Sequence, residues 1–190
     1  MSQTIQDFYR VAQTRGFSRD FMMRVTSIGE DTFNENDFVY ITTKQLPNRQ
    51  ITNQAVPYMG LNFNTPGTVT YPGSESWSVT FRNDLRGIIR SKLENWQING
   101  VFDDATSTGD LYTRGTDKVI QLEQLDDKQN VVNVYRLFGV YIVGLGAIEG
   151  YDATGAGAPT TFSATLAYHY WRHVNFVTQS SLQVNIGIQL

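Results

Sequence analysis

Residues 76–84 read SWSVTFRND, and this stretch decides the fold class. Its apolar side chains alternate with polar ones, which is the pattern of a half-buried β-strand. The alternating set is Trp77, Val79 and Phe81 against Ser78, Thr80 and Arg82. The sequence therefore predicts a strand here with one face turned to the core.

The apolar spacing changes to a helical period directly after this strand. The residues that recur at this spacing are Leu85, Ile88, Ile89, Leu93 and Trp96. Such a stripe predicts an amphipathic helix. Asn83 or Asp84 can cap its start, and Asn99-Gly100 can end it. We expect one principal helix over about 84–99, with Leu85, Ile89, Leu93 and Trp96 buried against the sheet.

The other patterned segments are typical of strands. Strands are predicted at 21–28, 38–47 and 162–171, as short pieces within 48–73, and at 118–125 and 130–145 around a turn at 126–129. A short helix is predicted at 5–15, and loops at 101–118 and 147–161. The predicted fold is mainly β: an antiparallel barrel or sandwich with one packed helix. We expect one domain over 1–190, with an N-terminal arm at 1–16 and a C-terminal extension at 172–190.

Composition narrows the function classes. The chain has 190 residues, a formal net charge of −3 and only 17% charged residues. This balance lacks the basic footprint of tight nucleic-acid binders. The absence of cysteine excludes disulfides, thiolate catalysis and cysteine-ligated metals. We expect neither a signal peptide nor a membrane anchor, because the first residues are polar and no apolar run approaches the roughly 20 residues that span a bilayer.

Catalytic and metal-binding patterns are weak. In a β context His169 and His173 lie about 13 Å apart at ~3.3 Å per residue, too far to chelate one ion. The adjacent acids Asp103-Asp104, Asp126-Asp127 and Glu30-Asp31 fall in predicted turns, where acids are usually solvated. Neither a nucleophile elbow nor a P-loop is present. We therefore expect no enzyme activity, no metal and no cofactor.

Several motifs occur together in a fixed order. A second strand closes with Leu46-Pro47, and VPYMG follows at 56–60. Next come the Trp-x-Val-x-Phe strand at 77–81 and the helix with Arg90, Leu93 and Trp96. Near the end lies a strand of the form Phe-x-x-Thr-Leu-x-Tyr-x-Tyr-Trp at 162–171. This ordered set, covering residues 17–171, resembles the tail tube protein family of contractile-tailed (T4-like) bacteriophages.

The resemblance implies a structural role in a virion. Such proteins form hexameric rings that stack into a hollow tube, and each subunit contributes strands to a continuous β-barrel lining the channel. The implied partners are other copies of the chain, the tail sheath protein, the tape-measure protein, and baseplate and tail terminator proteins. DNA would meet the tube only in transit. Assembly would take place in the host cytoplasm. Baseplate tube initiators and the Hcp proteins of type VI secretion are similar in fold and remain alternatives.

Two other classes stay open. A β-sandwich with exposed aromatic residues could hold a carbohydrate, and a barrel could serve as an enzyme scaffold. Assembly state separates the first from a tube protein, because a lectin domain stays a small oligomer where a tube protein polymerises. The absence of cysteine and the scarcity of histidine oppose the second.

The predicted assembly residues fall into two groups. We expect the inner barrel to come from 38–46, 51–63, 130–143 and 162–171, with Thr42, Lys44, Ser163 and Thr165 as lumen candidates. A lumen lined by such neutral polar residues would let DNA slide, whereas a basic wall would bind it.

The second group mediates contacts between subunits. The stretch 48–73 is polar and long, as is the N-terminal arm, and loops longer than about 12–15 residues are usually functional. We expect both to reach an adjacent ring, with Asn62 and Asn64 as contact residues; packing on their own subunit is the alternative. At the C-terminus Leu182, Val184, Ile186 and Ile188 form an aliphatic strand face. We expect it to pair with a neighbouring subunit, or otherwise with an edge of its own sheet.

Overall fold

The computed structural model describes residues 5–16, 21–29, 33–43, 45–103, 105–109, 118–148 and 157–174. The helices in these ranges are α1 (Ile5–Arg15), α2 (Ile88–Gly100) and a 3₁₀-helix (Glu35–Tyr40). The strands are β1 (Met23–Ile28), β2 (Ile41–Thr43), β3 (Gln50–Tyr58), β4 (Leu61–Thr70), β5 (Trp77–Arg82), β6 (Phe102–Asp103), β7 (Thr108–Gly109), β8 (Lys118–Leu125), β9 (Val131–Leu145), β10 (Thr161–Ala167) and β11 (Tyr170–Val174).

One antiparallel sheet forms the body of the protein. Its strand order is β1-β8-β9-β10-β5-β2, and β11 also pairs with β9. The long strand β9 joins two halves, because its first part pairs with β8 and β11 and its last part with β10. The sheet curls until it is nearly closed into a barrel. The predicted fold class, mainly β with one packed helix, is confirmed.

The core lies between this curled sheet and α2. Trp77, Val79 and Phe81 on β5 are at most 5% exposed, and Leu93 and Trp96 on α2 at most 4%. Phe81 stacks on Phe162 of β10 with ring centroids 5.6 Å apart. The predicted burial of the strand and of most of the helix stripe is therefore confirmed.

The predicted start of the helix is wrong, and so is the predicted burial of Leu85. The helix begins at Ile88, and Leu85 is fully exposed. Gly87 has φ +65°, a left-handed conformation that a helix cannot contain. The Asp84 carboxylate accepts hydrogen bonds from the N–H groups of Ile88 and Ile89 at 3.0 and 3.1 Å, so it caps the helix across this turn. The turn leaves Leu85 outside the helix stripe.

The strand predicted at 38–47 is mostly absent. A 3₁₀-helix occupies Glu35–Tyr40 and leaves only Ile41–Thr43 as strand. The cause is an N-terminal capping box. The Asn34 side chain accepts from the Asp37 backbone, and the Asp37 carboxylate accepts from the Asn34 N–H at 2.8 Å. These polar contacts outweigh the β-like alternation of the apolar residues that follow.

The strand predicted at 162–171 is broken in two. The break lies at Tyr168-His169, where the chain leaves the partner β5 and turns to the first half of β9. His169 N–H donates to the Phe138 C=O at 2.9 Å. Gly139 has φ +66°, and a Cβ on it would lie 2.1 Å from Cδ2 of His169. A glycine is therefore required for this corner, and the predicted unbroken alternation of faces stops here.

Other predicted elements have the expected type. The structure confirms strands at 21–28, 118–125 and 130–145, the turn at 126–129 and the helix at 5–15 to within a few residues. The short strands predicted in 48–73 are two strands of nine and ten residues. The 101–118 loop includes the two-residue strands β6 and β7. Parts of both predicted loops, and the extension beyond residue 174, lie outside the described residues.

Candidate assembly surface

A long β-hairpin, formed by β3 and β4, carries the candidate site. Every residue from 50 to 70 is exposed, on both faces of the hairpin. At ~3.3 Å per residue its strands extend roughly 30 Å. The hairpin is a separate two-stranded sheet within the described chain. The alternative that this stretch packs on its own subunit is not what the structure shows.

Two indole groups hold the first leg of the hairpin. Trp77 Nε1 donates to the Gln45 C=O at 2.9 Å, and Trp171 Nε1 donates to the Asn48 C=O at 2.9 Å. The Arg49 guanidinium lies 4.8 Å from the centre of the Trp171 ring, within the range of a cation–π contact. The chain therefore enters β3 from a fixed position.

The second leg is held by the corner between β10 and β11. Tyr168 N–H donates to the Ser74 C=O at 2.9 Å, and Ser74 N–H donates to Tyr71 C=O in the turn after β4. Burial raises the pKa of the Tyr168 hydroxyl, and a hydrogen bond to the Asn48 backbone partly offsets that rise. Trp77 and Trp171 thus hold the first leg and Tyr168 holds the second, and the hairpin extends into solvent from these contacts.

The exposed hairpin is uncharged and mixes neutral polar residues with large apolar ones. The sequence has no Asp, Glu, Lys or Arg from 50 to 74. Its large exposed apolar residues are Ile51, Val56, Tyr58, Met59, Leu61, Phe63 and Val69. An exposed apolar strand pair of this length is a hazard for aggregation unless another surface covers it.

Of the predicted lumen residues, Thr42, Ser163 and Thr165 lie on the side of the sheet opposite the core. Ser163 and Thr165 pair with Thr80 and Ser78, while their neighbours Ala164 and Leu166 are buried. Thr42 Oγ1 donates to the Thr80 C=O at 3.1 Å and so lies beside this hydroxyl-rich area. Lys44 is outside the described residues.

Three arginines lie on this same side of the sheet, one each on β1, β9 and β11. The sequence analysis predicted no basic cluster there. Arg24 pairs with Glu123 at 2.8 Å, Gln121 donates to Glu123 at 3.0 Å, and Arg136 donates to Gln121 at 2.9 Å. Arg172 lies directly opposite Arg136 in the β9–β11 register. These charges are far apart in sequence, and only the strand register brings them together.

The predicted inter-ring residues Asn62 and Asn64 are exposed on β4, and whether they touch another subunit stays a prediction. The aliphatic set from Leu182 to Ile188 lies outside the described residues. Sequence analysis missed the apolar residues around Asn62 and Asn64 as contact candidates. The signal was present in VPYMGLNF at 56–63, where a glycine turn separates two alternating strands.

The described part of the chain has few histidines, the residue type that most often binds metals or acts as a catalyst. His169 lies against Gly139, and His173 Nε2 is 2.9 Å from Asn133 Oδ1. Across the described ranges, no three His, Asp or Glu residues are placed to hold a metal ion. Helices in those ranges are too short or too polar to cross a membrane.

Comparisons with known proteins identify solved structures of similar fold. No protein family and no curated protein matches the sequence. A chain of the anti-feeding prophage baseplate matches with TM-score 0.53 at 13% identity, covering 92% of this chain and 98% of that one. A chain of the cap that terminates the same prophage's tube matches with TM-score 0.52 at 13% identity, covering 85% and 93%. Hcp1 from E. coli matches with TM-score 0.44 at 10% identity, covering 81% and 91%. The fold is thus shared with these two chains of the anti-feeding prophage.

Proposed function

We propose that this chain is a structural subunit of the hollow tube of a contractile injection machine, and that it assembles into rings that stack. The observation that carries the proposal is the hairpin β3–β4. It is long, uncharged and exposed on both faces, and it is held at its base by residues of the body.

We expect a partner to cover the apolar side chains of this hairpin. A two-stranded hairpin alone is marginally stable in water, and this one exposes seven large apolar side chains. Other copies of the chain are partners that are always available where the chain is made. A hairpin that reaches from each subunit onto the next would link copies into a repeating assembly. The fold shared with the prophage chains supports an assembly of this kind.

The finer assignment follows the sequence resemblance. We propose the inner tube of a contractile phage tail, built from hexameric rings, with the sheath, tape-measure, baseplate and terminator proteins as neighbours and DNA as the passing cargo. The hydroxyl-rich side of β5 and β10 supports a lumen there, since Ser78, Thr80, Ser163 and Thr165 would not grip phosphates. The same side also carries Arg24, Arg136 and Arg172, and the charge of Arg24 is offset by its ion pair with Glu123. On this proposal α1 and the segment 182–188 also contact adjacent subunits.

A second candidate is a specialised ring at the end of a tube. The likeness to a chain of the prophage baseplate favours a tube initiator, which would form one ring or a short stack instead of a long tube. The length of the assembled particles separates the two candidates.

Electron microscopy of the concentrated purified chain tests the proposal. A matched variant replaces residues 52–68 by Asn-Gly, the preferred residues of a two-residue hairpin turn, so that Ile51 and Val69 remain paired. We expect stacked rings from the full chain. The variant should unfold at the same temperature as the full chain but form no stacks. A full chain that stays a small oligomer at high concentration, or a variant that stacks normally, would overturn the proposal.

A further inference from the structure

We propose that the hairpin binds a second copy of this chain through one of its two faces, the tip face, and not by adding a strand at its edges. The tip face consists of Val56, Tyr58, Leu61 and Phe63. The inference rests on the proposed function and specifies how that assembly contact is made.

The register divides the outer half of the hairpin into two unlike faces. Val56 lies opposite Phe63, and Tyr58 lies opposite Leu61. Since successive side chains alternate between faces, these four residues share one side. Their exposed fractions are between 46% and 65%, so each has surface to lose on binding.

The opposite face is smaller and more polar. Ala55 lies opposite Asn64, and Pro57 lies opposite Asn62. Burying these amide side chains without hydrogen-bond partners would be unfavourable. Burying the apolar side chains of the tip face would be favourable, because it removes apolar surface from water. The two predicted contact residues, Asn62 and Asn64, are therefore on the face that we expect to remain exposed to solvent after assembly.

The turn geometry shows which backbone groups point outward. Met59 and Gly60 have φ +49° and +79°, as in a type I′ turn of two residues. Such a turn is closed by a hydrogen bond between the residues that flank it, here Tyr58 and Leu61. Hydrogen-bonded pairs alternate with pairs whose backbone groups point away, so Pro57 and Asn62 point outward.

Both edges of the hairpin are interrupted by proline at such outward positions. Pro57 takes the outward position nearest the turn on β3. On β4 only Asn62 and Asn64 precede Pro66, which pairs with Asn53. Proline has no N–H to donate, and natural sheets use it to blunt edges. Addition of a strand along either edge would meet a gap, while the tip face is uninterrupted.

A second copy offers a surface of the matching kind. Since the sequence has no charge from 50 to 74, the hairpin fits an uncharged apolar surface. Outside the hairpin, Leu85 is fully exposed, and Ile88 and Ile98 on the outer side of α2 are 45% and 43% exposed. Each copy therefore carries exposed apolar side chains outside the hairpin, of the kind that the tip face of another copy would pack against.

Two neighbouring cross-strand pairs provide a matched test. The variant Val56→Thr/Phe63→Thr changes the tip face, and Ala55→Thr/Asn64→Thr introduces threonine at the neighbouring pair on the opposite face. Threonine suits strands, so the hairpin is retained. We expect the tip-face variant to raise the protein concentration needed for assembly by at least about tenfold, because two large apolar side chains no longer become buried. The other variant should assemble like the full chain. The reverse order, or equal effects, would overturn the inference.

A single proline tests the edges. Asn64→Pro removes an outward N–H on β4 and leaves the tip face intact. Unchanged assembly supports binding through the face. Lost assembly, with the circular dichroism spectrum of the subunit unchanged, would show strand addition instead. If replacement of 52–68 abolishes stacking and the tip-face variant does not, only the face assignment fails. If the full chain never stacks, the proposed function fails.

Discussion

The body sheet and the hairpin use the same alternating β pattern, yet they differ in what covers the apolar side chains. On β5 the alternate residues Val79 and Phe81 are at most 2% exposed, in the same core cluster as Leu93 and Trp96 of α2. On the hairpin Val56 and Phe63 are about half exposed, at 46% and 52%. An alternating pattern therefore predicts a strand with one apolar face. It does not predict whether that face is buried by the same chain or by another copy. Substitutions in the body should therefore change folding, and those in the hairpin should change assembly.

The largest expected effect on folding comes from α2. Trp96 is 4% exposed in the core. Trp96→Ala should lower the free energy of unfolding by roughly 3–5 kcal/mol, because it removes a large buried side chain and leaves a cavity. Urea denaturation of the subunit measures this. Asn95→Ala, on the exposed side of the same helix, is the control and should change stability by less than ~0.5 kcal/mol. Equal losses would contradict the assigned core.

The next effect concerns the corner that holds the hairpin. Gly139→Ala should destabilise by roughly 1–3 kcal/mol, because it strains a left-handed residue and sets Cβ against His169. Adding His169→Ala should recover the steric part and leave the strain of positive φ. Urea denaturation of both single variants and the double variant separates the two terms. A double variant no more stable than Gly139→Ala would show that the contact with His169 is not responsible.

A smaller effect concerns the cap of α2. Burial opposes ionisation of Asp84, but the N–H groups of Ile88 and Ile89 outweigh it and hold the pKa of Asp84 below its usual value of 3.8. The stabilisation this shift gives is present above pH 3.8 and is lost as pH falls through the lowered pKa. Asp84→Ala should cost about 1 kcal/mol at neutral pH. The difference between variant and parent should shrink in acid, as thermal unfolding across pH 2–7 would show. A constant difference would contradict the capping role.

The smallest effect on folding is expected at the hairpin turn. Met59 is 85% exposed and has φ +49°, a conformation that asparagine adopts more readily. Met59→Asn should leave the unfolding temperature of the body unchanged within ~0.5 kcal/mol, since the turn contacts no core residue. It should slow hydrogen exchange of the paired hairpin amides. A clear shift in global stability would contradict the separation of hairpin and body.

Local patterns predicted much of the body. The alternation at 77–81 and the helical spacing through Trp96 sufficed because the same residues make both the pattern and the core. Prediction failed where a polar or steric contact decided the outcome. Leu85 fits the helix stripe, but Gly87 and the Asp84 cap exclude it. The capping box of Asn34 and Asp37 converts a predicted strand into a 3₁₀-helix.

The sequence predicted which stretch of the chain forms the candidate site but not which side chains share its faces. The length and polarity of 48–73 indicated an extended contact element. The sequence could not show that Val56 faces Phe63, because cross-strand partners depend on the turn at Met59-Gly60 and on a bulge between Ile51 and Asn53. Similarly, Arg24, Arg136 and Arg172 become neighbours only through the register of β1, β8, β9 and β11.

Methionine oxidation of the unmodified chain tests the central claim most directly. Met59 at the hairpin turn is 85% exposed, whereas Met22 is 6% exposed beside β1. A methionine thioether is oxidised readily when reagent can reach it. Dilute peroxide and peptide mass spectrometry give both rates before and after assembly. We predict that Met59 reacts fast in the free subunit and slowly in the assembled particle, while Met22 reacts slowly in both. A Met59 that stays as reactive after assembly would contradict the claim that another copy covers the hairpin.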